Sequence, residues 1–379
     1  MKTIIVGGGP VGLAAALALK ERGITDDITV LEAASHEDEK FSDRNIALSL
    51  SSSRFLSRLG VVVDGANRAL ITTVEVSQRG AFGLLALHAS DVGETMLGAA
   101  VPYPVLKRAF NNAITKASIN VLYNATASAI EHAPSGVVVK LASGEQLRAD
   151  CVALADGAGS EAGLMPEFKT FARDSGQMAV ITRVRPALPR AGVAHERFTT
   201  GGALALIPRA DGEWTVVWAR ANIEAKRLLD LDEESFSREL NNAFGSNLGE
   251  LVLTSKRSSY PLAWRFVEPR VSGCVAALGN AAQGLHPVAA QGLNLGLRDA
   301  GAFADALMMQ NGDNNVTSSL RTFARIRATD RVASIGFTGI LAYAFDRGGW
   351  IADVPRGLAL TAIGLVPALK RAMIARLAL

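Results

Sequence analysis

The sequence predicts an α/β fold: a Rossmann-like nucleotide-binding domain assembled from separated segments, an inserted β-rich domain and a helical C-terminal region. Three observations carry this reading. The chain opens with an apolar β-run, a glycine-rich turn and a helical stretch, the β-turn-α order of a dinucleotide-binding unit. Similar strand-turn-helix punctuation returns near residues 151–160 and 275–310. Between these lies a mostly β region, where short runs alternate with turn signals such as Ala210-Asp211-Gly212.

Taken in order, Thr3 to Val6 is a buried strand, Gly7 to Gly12 a turn, and Leu13 to Arg22 a helix that Gly23 ends. Ile28 to Leu31 is a second strand, so the first two strands are parallel with a right-handed crossover. Ser51 to Leu59 reads as a helix stopped by Gly60, and Pro104 to Lys116 as another. Short strands occupy Val74 to Ala100, Ile119 to Ala155 and Gln177 to Val217. Glu233 to Phe244 is helical, Cys274 to Leu278 is a buried strand, and Leu293 to Met309 is a long helix. The expected domains are 1–72, 101–168 and 271–330 for the nucleotide-binding unit, 73–100 and 169–270 for the substrate unit, and 331–379 for the helical region.

Composition excludes several classes. A net charge of +3 over 379 residues, with no basic run interleaved with aromatics, gives no nucleic-acid footprint. Two cysteines far apart, Cys151 and Cys274, make neither a disulfide framework nor a metal spacing. His88, His132 and His195 show no ligand spacing either, so no metal is expected. A reducing, cytoplasmic compartment is the simplest reading. Lys2 to Leu19 mimics a signal peptide, but a buried strand followed by an apolar helix accounts for the same residues. The longest uncharged apolar runs, Val332 to Phe345 and Gly357 to Leu369, fall short of the roughly 18–20 residues of a spanning helix. The tail Lys370-Arg371-Ala372-Met373-Ile374-Ala375-Arg376-Leu377 reads as a short basic amphipathic helix of the type that lies on anionic membranes.

The chemistry concentrates in three motifs. Gly7-Gly8-Gly9-Pro10-Val11-Gly12 fits G-x-G-x-x-G: Gly7 for the tight turn, Gly9 for backbone approach to a pyrophosphate, Gly12 for close helix–strand packing. The pyrophosphate would sit at the helix N-terminus, where free N–H groups and the dipole favour negative charge. Glu32 ends the second strand 20 residues beyond Gly12, where a carboxylate accepts hydrogen bonds from an adenosine ribose. Its charge disfavours a 2′-phosphate there, so this site should hold FAD or NAD. The second motif is Ala155-Asp156-Gly157-Ala158-Gly159-Ser160. The third is Leu278-Gly279-Asn280-Ala281-Ala282, running on through His286-Pro287 and Gln291-Gly292-Leu293-Asn294-Leu295-Gly296-Leu297-Arg298-Asp299-Ala300.

In this order and at these positions, the three motifs resemble the flavoprotein aromatic hydroxylases of the para-hydroxybenzoate hydroxylase fold. The likeness is greatest to the ubiquinone-biosynthesis hydroxylases, and within them to the 2-octaprenyl-6-methoxyphenol hydroxylase branch. Asp43-Arg44-Asn45-Ile46-Ala47-Leu48, Glu196-Arg197-Phe198-Thr199, Lys256-Arg257-Ser258-Ser259-Tyr260-Pro261-Leu262 and Asp330-Arg331 resemble that branch too. The resemblance implies FAD as cofactor, NADPH and molecular oxygen as co-substrates, and hydroxylation of a polyprenylated phenol. It implies that Asn280, after Gly279, meets the ribityl chain, where an amide can donate as well as accept. Gly292, Leu293 and Asn294 would open a helix whose positive end faces the flavin. Arg44 would contact the cofactor, and Asp156 and Gly157 would lie near its pyrophosphate. Pro287 would line the reacting face, with His286 a candidate proton-transfer group. One departure is Ala290, where the family carries glycine; if φ there is positive, alanine costs about 1 kcal/mol. A polyprenylated substrate implies peripheral contact with the inner membrane, through residues beyond about Ala333, and admits a complex with other quinone-biosynthesis proteins. Two other readings stay open: a hydroxylase of a small soluble aromatic or an antibiotic, and a non-catalytic FAD-binding subunit of a quinone-biosynthesis complex.

Overall fold

The computed structural model describes residues 1–35, 44–80, 82–157, 163–199, 201–284, 291–309, 315–329 and 350–378. Its first layer is a sheet of six strands: β1 (Thr3–Val6), β2 (Ile28–Leu31), β8 (Asn120–Leu122), β12 (Cys151–Leu154), β19 (Val271–Ser272) and β20 (Val275–Ala277), in the order β19-β20-β12-β1-β2-β8. All pairings but β19–β20 are parallel. Its inner strands are short, apolar and buried on both faces, as a covered parallel sheet requires. One face carries the helices α1 (Pro10–Glu21), α2 (Leu50–Arg58), α3 (Tyr103–Lys116), α6 (Gln291–Met308) and the helical stretch 316–329 (α7). The other carries a small antiparallel sheet of β9 (Ala127–Ala133), β10 (Gly136–Leu141) and β11 (Gln146–Ala149). The alanines of α1, buried from Ala14 to Ala18, let it lie flat between sheet and α6.

The larger sheet holds nine strands: β5 (Thr73–Gln78), β6 (Leu84–His88), β13 (Lys169–Pro186), β14 (Val193–Thr199), β15 (Gly202–Pro208), β16 (Trp214–Ala221), β17 (Leu251–Leu253), β18 (Ser258–Glu268) and β21 (Gln283–Gly284). The order is β21-β18-β13-β16-β15-β14-β5-β6, with β17 added to the end of β13. Period-2 alternation gives the sheet two different faces. Val180, Leu204, Leu206, Val216 and Trp218 face α4 (Asn222–Asp230) and α5 (Glu233–Phe244) and form a dry core with them. The opposite face carries small residues, Ala179 and Ala219 side by side and Ala205 beside Val217. A third sheet of β3 (Asn45–Ser49), β4 (Ala69–Ile71) and β7 (Gly98–Pro102) links the two layers, and Asn45 Nδ2 donates to the Pro208 carbonyl at 3.1 Å.

The C-terminal helices α8 (Trp350–Leu365) and α9 (Pro367–Leu377) pack on the β5–β6 edge. Leu360 and Ile374 join Val76, Leu85, Leu87 and Phe198 in one core. This corrects the expectation for the tail. Ile374, Met373 and Leu377 are packed against protein, and Lys370 Nζ pairs with Asp91 at 2.7 Å, so the apolar face of α9 and one of its cations are already engaged. The apolar surface left outside lies at the α8–α9 turn: Leu358, Val366, Leu369 and Leu365, the last 76% exposed. Phe82 and Leu84 extend it, since Gly357 and Gly364 lie against their backbones. Among the described residues no helix is long and apolar enough to cross a membrane.

One buried carboxylate joins several of these segments. Asp299 on α6 is fully buried. It accepts from Arg270 Nη2 at 2.6 Å, Arg327 Nε at 2.6 Å and the Gly279 N–H at 2.9 Å. Replacing Asp299 with alanine removes the carboxylate that neutralises two buried guanidinium groups. The expected loss is about 3–5 kcal/mol in chemical denaturation; a loss under about 1 kcal/mol would show that the network is not a structural tie.

Candidate active site

The glycine turn between β1 and α1 contains positions with opposite demands. A Cβ at Gly7, where φ is +109°, would lie 2.5 Å from the Ala155 carbonyl oxygen, and one at Gly12 would lie 2.0 Å from the Gly7 oxygen. These two glycines allow backbone to touch backbone. A Cβ at Gly9 would meet nothing within 4 Å, because Gly9 faces an open cleft. Gly9 is also the N-cap of α1, and no side chain caps that helix end. Uncapped N–H groups aimed at a cleft are an anion site.

Glu32 is locked in place beside this turn. Its Oε2 accepts from the Gly8 N–H at 3.0 Å and its Oε1 from the Ala34 N–H at 2.9 Å. A Cβ at Gly8 would stand 2.6 Å from Oε2, so Gly8 is needed for Glu32 to close on the turn. The motif spacing gives Gly8 no such role.

Two adjoining cavities form the cleft. One of about 400 Å³ is lined by Gly7, Gly9, Glu32, Arg44, Asp156, Gly157, Asn280, Gly292 and Leu293, so it gathers residues of all three sequence motifs. The other, of about 760 Å³, shares Gly9, Glu32, Arg44 and Tyr103 and adds Tyr123. The Arg44 guanidinium lies over the Tyr103 ring, 4.7 Å from its centroid. Burial, with a smaller push from Glu32, raises the Tyr123 hydroxyl above its ordinary value. Nothing in the sequence pattern marks Tyr103 or Tyr123, because their place in the cleft comes from tertiary packing.

Three predicted residues sit elsewhere than in the lining. Gly12 and Gly279 are packing positions; a Cβ at Gly279 would lie 3.0 Å from Val11. Gly296, one turn into α6, does the same task, 2.5 Å from Val11. Asn294 is buried and its amide is spent on β3: Oδ1 accepts from the Ser49 N–H and Nδ2 donates to the Ala47 carbonyl, both at 2.9 Å. Its side chain staples α6 to the linking sheet instead of facing the cleft. His286, Pro287 and Ala290 lie outside the described residues.

The cleft abuts the larger sheet. Tyr260 on β18 pairs directly with Ala179, and its hydroxyl is raised by burial while the nearby Arg44 pulls it down. Arg44 thus stands between the cleft and the alanine-bearing face. A long cleft with a ribose-ready carboxylate at Glu32 and an uncapped helix start at Gly9 has the shape and chemistry for FAD.

The model of a known family, described as an FAD binding domain, matches residues 1–333. The chain belongs to that family, and FAD is its cofactor. A ubiquinone hydroxylase of Rhodospirillum rubrum is 28% identical over 97% of this chain and 87% of its own length. The 3-demethoxyubiquinol 3-hydroxylase of Escherichia coli is 28% identical over 80% of this chain and 78% of its own. Among solved structures, p-nitrophenol 4-monooxygenase from Pseudomonas putida superposes with a TM-score of 0.78 at 20% identity, covering 99% of this chain and 98% of that one. PqsL from P. aeruginosa superposes with 0.80 at 21% identity, covering 96% and 99%. These two show that the fold is that of FAD-dependent monooxygenases.

The two kinds of glycine predict opposite failures. Gly9→Val should express and fold but purify without flavin absorbance, because its side chain enters only the cleft. Gly12→Val should lose folded yield, because its side chain must displace backbone. A yellow, fully occupied Gly9→Val protein would place the cofactor elsewhere.

Proposed function

We infer that this flavoprotein is a monooxygenase that hydroxylates the ring of a polyprenylated phenol in ubiquinone biosynthesis, using NADPH and molecular oxygen. The observation that carries this is the match along 97% of the chain to a ubiquinone hydroxylase. The cleft supports it, since Arg44 in its lining also acts on Tyr260 of the larger sheet. When bound, FAD supplies the redox step: reduced by NADPH, it lets oxygen deliver an OH group to an electron-rich ring. The chain's own residues hold and orient. Glu32 holds the ribose, Gly9 and the start of α1 the pyrophosphate, and Asp156, Gly157, Asn280, Gly292 and Leu293 the flavin half. Arg44, fixed on Tyr103, sets the edge of the reacting space. The α4–α5 layer closes the far side of the sheet against water.

The alternative substrate class, a small soluble aromatic, is separated by one assay. Prenylated phenols should stimulate NADPH oxidation and yield hydroxylated product, while short phenols stimulate weakly or uncouple it. The reverse ranking would reassign the substrate. No flavin reduction by NADPH would leave the non-catalytic subunit. A deletion strain that accumulates a quinone precursor lacking one ring oxygen would identify the step.

Peripheral contact with the cytoplasmic side of the inner membrane belongs to the same reading, and it falls on the α8–α9 turn. Leu358, Leu365, Val366, Leu369, Phe82 and Leu84 are exposed there, and exposed Arg371 offers a cation to anionic lipid. Changing Leu365, Val366 and Leu369 together to serine should abolish co-sedimentation with anionic vesicles while FAD content stays unchanged. Wild type that ignores such vesicles at low salt would transfer the patch to a protein of a quinone-synthesis complex.

A further inference from the structure

One carboxylate stands on the alanine-bearing face of the larger sheet without a partner among the described residues. Register places it. Glu196 on β14 lies directly beside Ala205 of β15 on one side and Val76 of β5 on the other. Ala205 in turn pairs with Val217, and Val217 with Ile181. The neighbouring row on the same face holds Ala179 beside Ala219 and Ala203 beside Phe198. Glu196, Ala205, Val217 and Ile181 each keep part of their surface uncovered on this face, beside the core that Val76, Phe198 and Ala203 form with Leu360.

The strand's other residues confirm which way it points. His195 and Arg197 face α5: His195 bonds Glu75 at 3.3 Å and meets Phe244 edge-on, and Arg197 reaches Ser77 and the Ala243 carbonyl. Alternation sends Glu196 to the opposite face. There, among the described residues, it accepts no hydrogen bond and forms no ion pair. It lies deep in the protein yet keeps part of its surface uncovered, as a side chain bordering an internal space does. A buried carboxylate without a partner is costly, so its retention asks for a ligand.

We propose that Glu196 is the base that takes the hydroxyl proton of the phenol substrate; this rests on the phenol-hydroxylase reading above. The O–H bond of the phenol breaks and the proton moves to a Glu196 carboxylate oxygen. The electron pair stays on the phenol oxygen and delocalises onto the ortho and para carbons. Nothing is oxidised in this step. It prepares the ring for attack by electrophilic oxygen, because a phenolate donates more electron density than a phenol.

Burial alone pushes the Glu196 carboxyl up to about 7. An ordinary glutamate is a poor match for a phenol near pKa 10, and the raised value narrows the gap while leaving the base ionised just above neutrality. Among the described residues, the charged groups set by this face include Arg44, which acts on Tyr260. Arg183 and Glu213 pair with each other at 3.3 Å, and Tyr260 lies across the alanine floor. The neighbouring β5 and β15 present Val76 and Ala205, and among its described residues α8 contributes Leu360 to this side.

The test uses Glu196→Gln and Glu196→Asp holoenzymes. Wild-type kcat/KM for substrate hydroxylation should rise with pH to a plateau above about 7. The glutamine variant should lose that limb and fall by roughly 10²- to 10⁴-fold, and the aspartate variant should recover a limb with a displaced midpoint. A second readout needs no turnover: 4-nitrophenol bound to wild type should show the phenolate difference spectrum, and bound to Glu196→Gln the neutral phenol spectrum. A third follows from linkage. Ionising Glu196 lowers folding stability progressively from about pH 4.5, the unfolded value, to about 7. The glutamine variant should therefore melt higher than wild type above pH 7, and the advantage should vanish at acid pH. An unchanged pH limb with rates within about threefold of wild type, or phenolate bound equally by both proteins, overturns the proposal. If no prenylated phenol is turned over by wild type, the hydroxylase reading fails, while the nitrophenol spectra still decide whether Glu196 accepts a phenol proton.

Discussion

The carboxylate of Asp299 sets the geometry on which the cofactor cleft depends. It holds Arg270 from the β18–β19 connection, Arg327 from α7 and the backbone of Gly279 at once. Those segments belong to different elements, and the Gly279 turn carries Asn280 into the cleft. A buried carboxylate flanked by two guanidinium groups forms only when all partners arrive together, because each alone would be an uncompensated charge. The network therefore favours one arrangement of the third motif over near alternatives. The Arg270 guanidinium also lies over the Phe323 ring, 5.5 Å from its centroid, which ties α7 to the same arrangement by a second contact.

The two layers of the molecule divide the work by residue size. In the parallel sheet, alanine on α1 and glycine on α6 bring helix against helix and leave the mouth of the first βα turn open. In the larger sheet, bulky residues fill the α4–α5 side and alanines line the other. A single strand such as β14 thus serves a packed core with His195 and Arg197 and a partly uncovered face with Glu196. Packing is tight where helices brace the sheets and thinner on the partly uncovered face.

Much of this was legible in the sequence, and the reasons differ by residue. The glycine turn and Glu32 were readable because backbone geometry dictates them: only glycine fits where Gly7 meets Ala155, and the carboxylate must follow the second strand. The order of the strands at the start and the gathering of the three motifs followed from the same pattern. Gly8 escaped notice because its need arises from a side chain 24 residues away. Tyr103, Tyr123 and Asp299's partners depend on packing between segments distant in the chain, which periodicity does not encode. Asn294 shows a polar motif residue spent on backbone rather than ligand. The tail helix misled for a related reason: an apolar face at helical spacing says that something covers it, not whether that cover is lipid or protein.

The path of the chain's final turn has a consequence for handling the protein. The Ala378 carbonyl accepts from the Ser51 N–H at 3.0 Å, and the Ser51 hydroxyl lies 3.0 Å from that of Ser49. Ser49 in turn gives its N–H to Asn294 in the first turn of α6. The backbone at Ala378 is therefore joined through these hydrogen bonds to the helix start that lines the cleft. A change that displaces Ala378 would pull on that line, so a label placed beside it would report on the start of α6 as well as on surface docking.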